Sequence, residues 1–151
     1  MNPMGRQWFD LSDMTKGPQV AAAVILPSVQ AACDELGLDQ TAVALTGFSQ
    51  GGMMSLHCGL SMDPPPAAIV SFSGALLQKE AIADLETRPA VMLVHGTDDA
   101  VVPFSMMATA SGILGEHGIE AACVSRPGLG HGIDSDALTA AIDFLAGALP
   151  G

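Results

Sequence analysis

The chain has 151 residues, 49% of them hydrophobic and 14% charged, with a formal net charge of −11 at pH 7. That length suits one domain, and that apolar fraction can build a core and argues against disorder. The negative charge speaks against nucleic acid and anionic membrane surfaces as partners, since both carry the same sign. Residues 1–17 read as irregular, because Asn2-Pro3, Met4-Gly5 and Lys16-Gly17-Pro18 all punctuate regular structure. Ala21, Ile25, Val29, Ala32 and Leu36 then recur at helical spacing, with Pro27 expected to kink the helix or mark a late start. Gly37 is placed to cap its end.

Beyond this point strands and helices alternate. Strands are predicted at Ala42–Thr46, Ala67–Phe72, Ala90–Val94 and Ile119–Val124. Helices are predicted at Gly51–Ser61, Lys79–Leu85, Phe104–His117 and Ser135–Ala148, the last started by Asp134-Ser135-Asp136, with acids where the helix dipole favours them. Pro64-Pro65-Pro66 can only be a connection. Short, continuously apolar strands between helices imply an α/β fold, with a parallel sheet covered on both faces.

Three cysteines, Cys33, Cys58 and Cys123, lack metal or redox spacing and read as buried small hydrophobes. Their number fits a reducing compartment, so a cytoplasmic location is expected. No apolar run approaches a membrane span, and stable membrane insertion is not expected.

The sharpest local signal is Gly47-Phe48-Ser49-Gln50-Gly51, between an apolar strand and a helix. A serine hydroxyl becomes a useful nucleophile only where a base can reach its proton and N–H groups can hold an oxyanion. A sharp strand-to-helix turn provides that exposure, and flanking glycines let strand and helix approach closely. Downstream, Asp98 and Asp99 lie in the loop after the strand Ala90–Val94, and chemistry alone does not choose between them. Open α/β sheets gather functional groups at the carboxyl ends of their strands. His131, between Gly130 and Gly132 on a later loop, is the candidate base. His57 and His117 fall in helical segments and read as packing or surface residues. A metal site from His95, Asp98 and Asp99 matches no common ligand spacing, so neither a metal nor another cofactor is expected. Trp8 and Phe9, aromatic residues on an irregular segment, are candidates for lining an apolar acyl site, with ordinary packing the alternative.

The order Ser49, Asp, His131 is that of α/β-hydrolases. In detail the chain resembles the phospholipase/carboxylesterase branch, which includes acyl-protein thioesterases. Gly5-Arg6-Gln7-Trp8-Phe9-Asp10-Leu11 is similar to that family's W-F segment, and Thr46 to Gly52 to its G-F-S-Q-G turn. Phe72-Ser73-Gly74 is similar to its S-G turn, His95-Gly96 through Pro103 to its H-G-x-x-D-x-x-V-P loop, and Gly130-His131 to its G-H loop. The resemblance implies Ser49 as nucleophile, Asp99 as orienting acid and His131 as base, with the Gln50 N–H in the oxyanion hole and His95 structural. It implies hydrolysis of a small acyl ester or thioester without a cofactor.

Family members also carry further strands and an H-G-x-G loop ahead of the W-F segment. The resemblance therefore implies that residues 1–151 form one partial, N-terminally truncated α/β-hydrolase domain, with the nucleophile strand as an exposed apolar edge. Such an edge invites association, for instance as a homodimer. A non-catalytic fragment, stable only with a partner or as an oligomer, is the rival reading.

Overall fold

Helices and strands alternate in the computed structural model, which describes residues 7–82 and 87–150. Helix α1 spans Gly17–Leu36, β1 Ala44–Phe48, α2 Gln50–Ser61 and β2 Ala68–Phe72. Strand β3 follows at Ala90–Gly96, then α3 at Ser105–Glu116, β4 at Ala121–Arg126 and α4 at Ser135–Ala148. The strands form one parallel sheet in the order β1-β2-β3-β4. Parallel neighbours need a crossover, and here helices supply it between β1 and β2 and between β3 and β4.

Strands β2 and β3 are buried on both faces, as their unbroken apolar sequence requires. On one face Ile69, Val91 and Leu93 meet Leu56 and Leu60 of α2 and Met107, Ala110 and Leu114 of α3. On the other, Val70, Phe72, Met92 and Val94 meet Ala137 and Ala141 of α4. The alanines let α4 lie close to the sheet. Helix α1 packs on α2 rather than on the sheet, through Ala21, Ala22, Met54 and Cys58, with Phe9 completing the cluster.

The structure shifts several sequence-based boundaries. Strand β1 starts at Ala44, because Gln40–Ala42 forms a 3-10 turn whose cap, Asp39, accepts from Thr41 N–H. Strand β4 starts at Ala121, where pairing with Val91 begins, and Ile119 is a buried residue ahead of it. The predicted helix Lys79–Leu85 is a 3-10 turn over Lys79–Ala81, and residues 83–86 lie outside the described part. Helix α1 begins at Gly17 with Pro18 in its first turn and runs through Pro27, which faces solvent. Gly37 ends it in the left-handed conformation at φ 66°.

Two burial expectations also change. Cys123 is exposed, unlike Cys33 and Cys58, because β4 is the outer strand of the sheet. In α1 the predicted apolar face is covered only near its start: Ala21 is buried, whereas Ala32 and Leu36 are exposed. There Val29, Ala32 and Leu36 line a cleft with Val43, Ala44 and Leu45, at the open edge of β1. That edge has no strand partner among the described residues, as expected from the sequence.

The contrast between Leu114, fully buried, and Leu36, 70% exposed, gives a test of the packing. Leu114→Ala should lower unfolding free energy by about 2–5 kcal/mol, read from urea denaturation. Leu36→Ala should stay within about 0.5 kcal/mol of the parent.

Candidate active site

Ser49 occupies the turn between β1 and α2 with φ 54° and ψ −119°, a backbone conformation rare for a residue with a side chain. The turn is tight. A Cβ on Gly47 would come within 2.3 Å of the Gly51 carbonyl group, and one on Gly52 within 3.0 Å of Gly47 O and Phe72 O. Only glycine fits at either position. Ser49 N–H donates to Phe72 O at 2.8 Å, which ties the turn to the end of β2. The neighbouring strand end is also unusual, since Ser73 has φ 45° and donates its N–H to Val94 O.

The loop after β3 carries Asp99, whose side chain is wholly buried. Its Oδ1 accepts from Val101 N–H and Val102 N–H, each at 2.9 Å. Its Oδ2 lies 2.8 Å from His131 Nδ1. Burial pushes this carboxyl up, but hydrogen bonds from His131, Val102 N–H and Val101 N–H outweigh it and bring the pKa down to about 2. Asp98 points elsewhere: it is exposed and accepts from the Thr97 hydroxyl. Geometry thus separates the two acids that sequence chemistry left open.

His131 Nε2 lies 2.9 Å from Ser49 Oγ. Because Asp99 Oδ2 can only accept, the shared proton sits on Nδ1, and Nε2 is left to accept from the serine. Ser49, His131 and Asp99, from three different loops, therefore form one hydrogen-bonded relay. The imidazole is 19% exposed and packs against the Phe48 ring at 4.7 Å between centroids.

The His131 loop is laced to the Asp99 loop. Gly128 N–H donates to Thr97 Oγ1, and Asp98 N–H to Leu129 O. Arg126 closes the far side with a bidentate pair to Asp134, at 3.0 Å for each contact, and a further contact to Asp136. Asp134 also caps α4 by accepting from Ala137 N–H. These long-range clamps are invisible to motif reading.

Gln50 is the first residue of α2, and first-turn N–H groups lack intrahelical acceptors. Its side chain does something the sequence reading missed. Oε1 accepts from Trp8 N–H at 2.7 Å and Nε2 donates to Phe9 O at 2.8 Å, so it holds the W-F segment against the turn. Trp8 is 54% exposed and lines a cleft with Gly51, Thr46 and Met54. Phe9 lies in the core, which is the packing alternative. Of the metal alternative, His95 and Asp99 do meet, at 3.3 Å, while Asp98 faces away.

A parallel sheet with a serine on a strand-to-helix turn, an acid after β3 and a histidine after β4 defines an α/β-hydrolase fold. Within that fold, residues 1–149 match the phospholipase/carboxylesterase family, and the chain belongs to it. It is 30% identical over 155 residues to esterase YpfH of Escherichia coli, covering 99% of this chain and 66% of that protein. It is 32% identical over 120 residues to acyl-protein thioesterase 1 of Neurospora crassa, covering 76% of this chain and 49% of that one. The crystal structure of esterase PE8 superimposes with a TM-score of 0.89 at 36% identity, covering 98% of this chain and 73% of its own. The chain thus spans about half to two thirds of the two curated relatives.

The lowered pKa of Asp99 makes a signed prediction. Its carboxylate contributes stability that is complete above the unfolded value of 3.8 and lost as pH falls through about 2. Asp99→Asn should therefore melt below the parent at neutral pH, and the difference should shrink as pH falls below 3.8. A constant difference from pH 7 to pH 2.5 (roughly the window that linkage defines) would contradict this assignment.

Proposed function

We propose that this chain is a serine hydrolase of carboxylic esters or thioesters, acting through an acyl-enzyme. The observation that carries this reading is the relay itself, with 2.9 Å from Ser49 Oγ to His131 Nε2 and 2.8 Å from His131 Nδ1 to Asp99. His131 takes the serine proton as Oγ attacks the acyl carbon, and Asp99 stabilises the imidazolium that forms. The carbonyl oxygen becomes an oxyanion facing the Gln50 N–H at the start of α2, where the helix dipole also favours negative charge. The tetrahedral intermediate collapses, His131 gives its proton to the departing alcohol or thiol, and an acylated Ser49 remains. Water then enters, His131 takes its proton, and the acid is released with Ser49 restored.

The family supports the reaction class, and the names of the relatives support both esters and thioesters as the bond cleaved. No step in this scheme requires a metal or an organic cofactor. Trp8, exposed beside the turn, is a candidate contact for an acyl group. A cytoplasmic site of action fits three cysteines that all remain free. Among the described residues no helix is long and apolar enough to cross a membrane.

A fluorophosphonate probe should label Ser49 at neutral pH, and Ser49→Ala should abolish labelling. Asp99→Asn should slow acylation by on the order of 10⁴, because the imidazole loses its correct tautomer. Asp98→Asn should leave the rate nearly unchanged. Labelling that survives Ser49→Ala, or a larger loss from Asp98→Asn, would overturn the assignment.

A further inference from the structure

Asp99 faces two imidazoles. His131 Nδ1 lies 2.8 Å from Oδ2, and on the same oxygen His95 Nε2 lies at 3.3 Å. His95 Nε2 also lies 2.9 Å from the carbonyl oxygen of Val102. The His95 side chain is 2% exposed, at the buried carboxyl end of β3, with its ring edge-on to Phe104 at 6.0 Å. A carbonyl and a carboxylate oxygen both only accept, so an unprotonated Nε2 would set its lone pair against two others. Nε2 therefore carries the proton and donates it to Val102 O, with the Asp99 carboxylate 3.3 Å from the same nitrogen.

This bond closes a ring around the acid. Val102 gives its N–H to Asp99 Oδ1 and takes the His95 proton on its carbonyl, so one residue is gripped from both sides. Oδ1 is occupied by two backbone N–H groups, while Oδ2 is bonded to His131 Nδ1 with His95 Nε2 3.3 Å away.

We propose that His95 is a positioning residue: through its Nε2–H bond to Val102 O it fixes the Val101–Val102 turn that grips the Asp99 carboxylate, and so aims His131 at Ser49. This rests on the serine-hydrolase reading for its kinetic consequence, but the geometry it asserts can be read without turnover. Packing alone would need only the ring against Phe104. Positioning needs only the donor. Two substitutions separate these demands. His95→Gln can place an amide N–H where Nε2 lies but loses the ring. His95→Phe keeps the ring and loses the donor.

The test measures two quantities on the 151-residue chain and both variants, with thermal melting to check folding. One is the downfield proton resonance of His131 Nδ1–H, identified by its disappearance in His131→Gln. The other is the rate of fluorophosphonate labelling of Ser49. In His95→Gln the resonance should persist and labelling should stay within about 3-fold of the parent. In His95→Phe the resonance should move upfield or vanish, and labelling should fall on the order of 10²-fold, the loss expected from a misplacement near 1 Å. A His95→Phe chain with the parental resonance and rate overturns the proposal. So does a folded His95→Gln chain that loses the resonance. If His95→Phe does not fold, His95→Gln decides on the same criterion, and if neither folds His95 serves packing and the proposal fails. An unlabelled parent would instead count against the hydrolase reading, while the resonance still decides the role of His95.

Discussion

The close approach of β1 to the first turn of α2 is the constraint on which the rest of the site depends. A Cβ on Gly47 would fall on the Gly51 carbonyl group, and one on Gly52 would crowd the Ser71 hydroxyl at 2.7 Å and two backbone carbonyl oxygens at 3.0 Å. Only at that separation can Ser49 sit at φ 54° with its N–H on Phe72 O and its hydroxyl raised toward the loops after β3 and β4. Strain of this kind costs of order 1–3 kcal/mol and persists only where surrounding structure over-determines it. Here the bond to β2 and the Gln50 clamp on the W-F segment supply that determination. The same turn starts α2 at Gln50, directly after Ser49, so one local geometry positions both the proposed nucleophile and the proposed oxyanion donor.

The second constraint is a buried charge. An ionised carboxyl without water is tolerated only when its lone pairs are taken up by donors. Asp99 meets this with two backbone N–H groups and the His131 imidazole, and these donors outweigh burial to depress its pKa. The depressed value keeps the acid ionised, and an ionised acid holds the His131 proton on Nδ1. Two loops must therefore stay in register. The Thr97–Gly128, Asp98–Leu129 and Arg126–Asp134 contacts hold them so, and none of these residues touches the serine.

Much of this was legible in the sequence, for identifiable reasons. The elbow shows because of its two flanking glycines, yet only Gly47 of the pair is sterically required: a Cβ on Gly51 would meet nothing closer than Trp8 Nε1 at 3.9 Å, and the second close approach falls at Gly52. Ser49, His131 and the Asp98-Asp99 pair stand out because each falls in a turn-rich loop near a strand's carboxyl end, where apolar patterning stops abruptly, and the family resemblance alone selects Asp99. Strand starts were less legible. Ala42-Val43 is as apolar as the strand, yet Asp39 caps a 3-10 turn there and pairing begins only opposite Ala68. Burial failed where it depends on what lies beyond an element's own periodicity. Leu36 has the right helical spacing but remains 70% exposed, and Cys123 lies in a strand that no further strand pairs on its outer side among the described residues. The shared carboxylate of His95 and His131 joins residues whose proximity no local pattern encodes.

The central claim is that His131 makes the Ser49 hydroxyl a nucleophile that accepts an acyl group. Its most direct test is intact-mass and peptide mass analysis after brief exposure to p-nitrophenyl acetate, with acid quenching. The account predicts one added acetyl group, located on Ser49, that forms in the parent and not in His131→Gln. An acetyl group on another side chain, or equal acetylation of Ser49 without the imidazole, would contradict it.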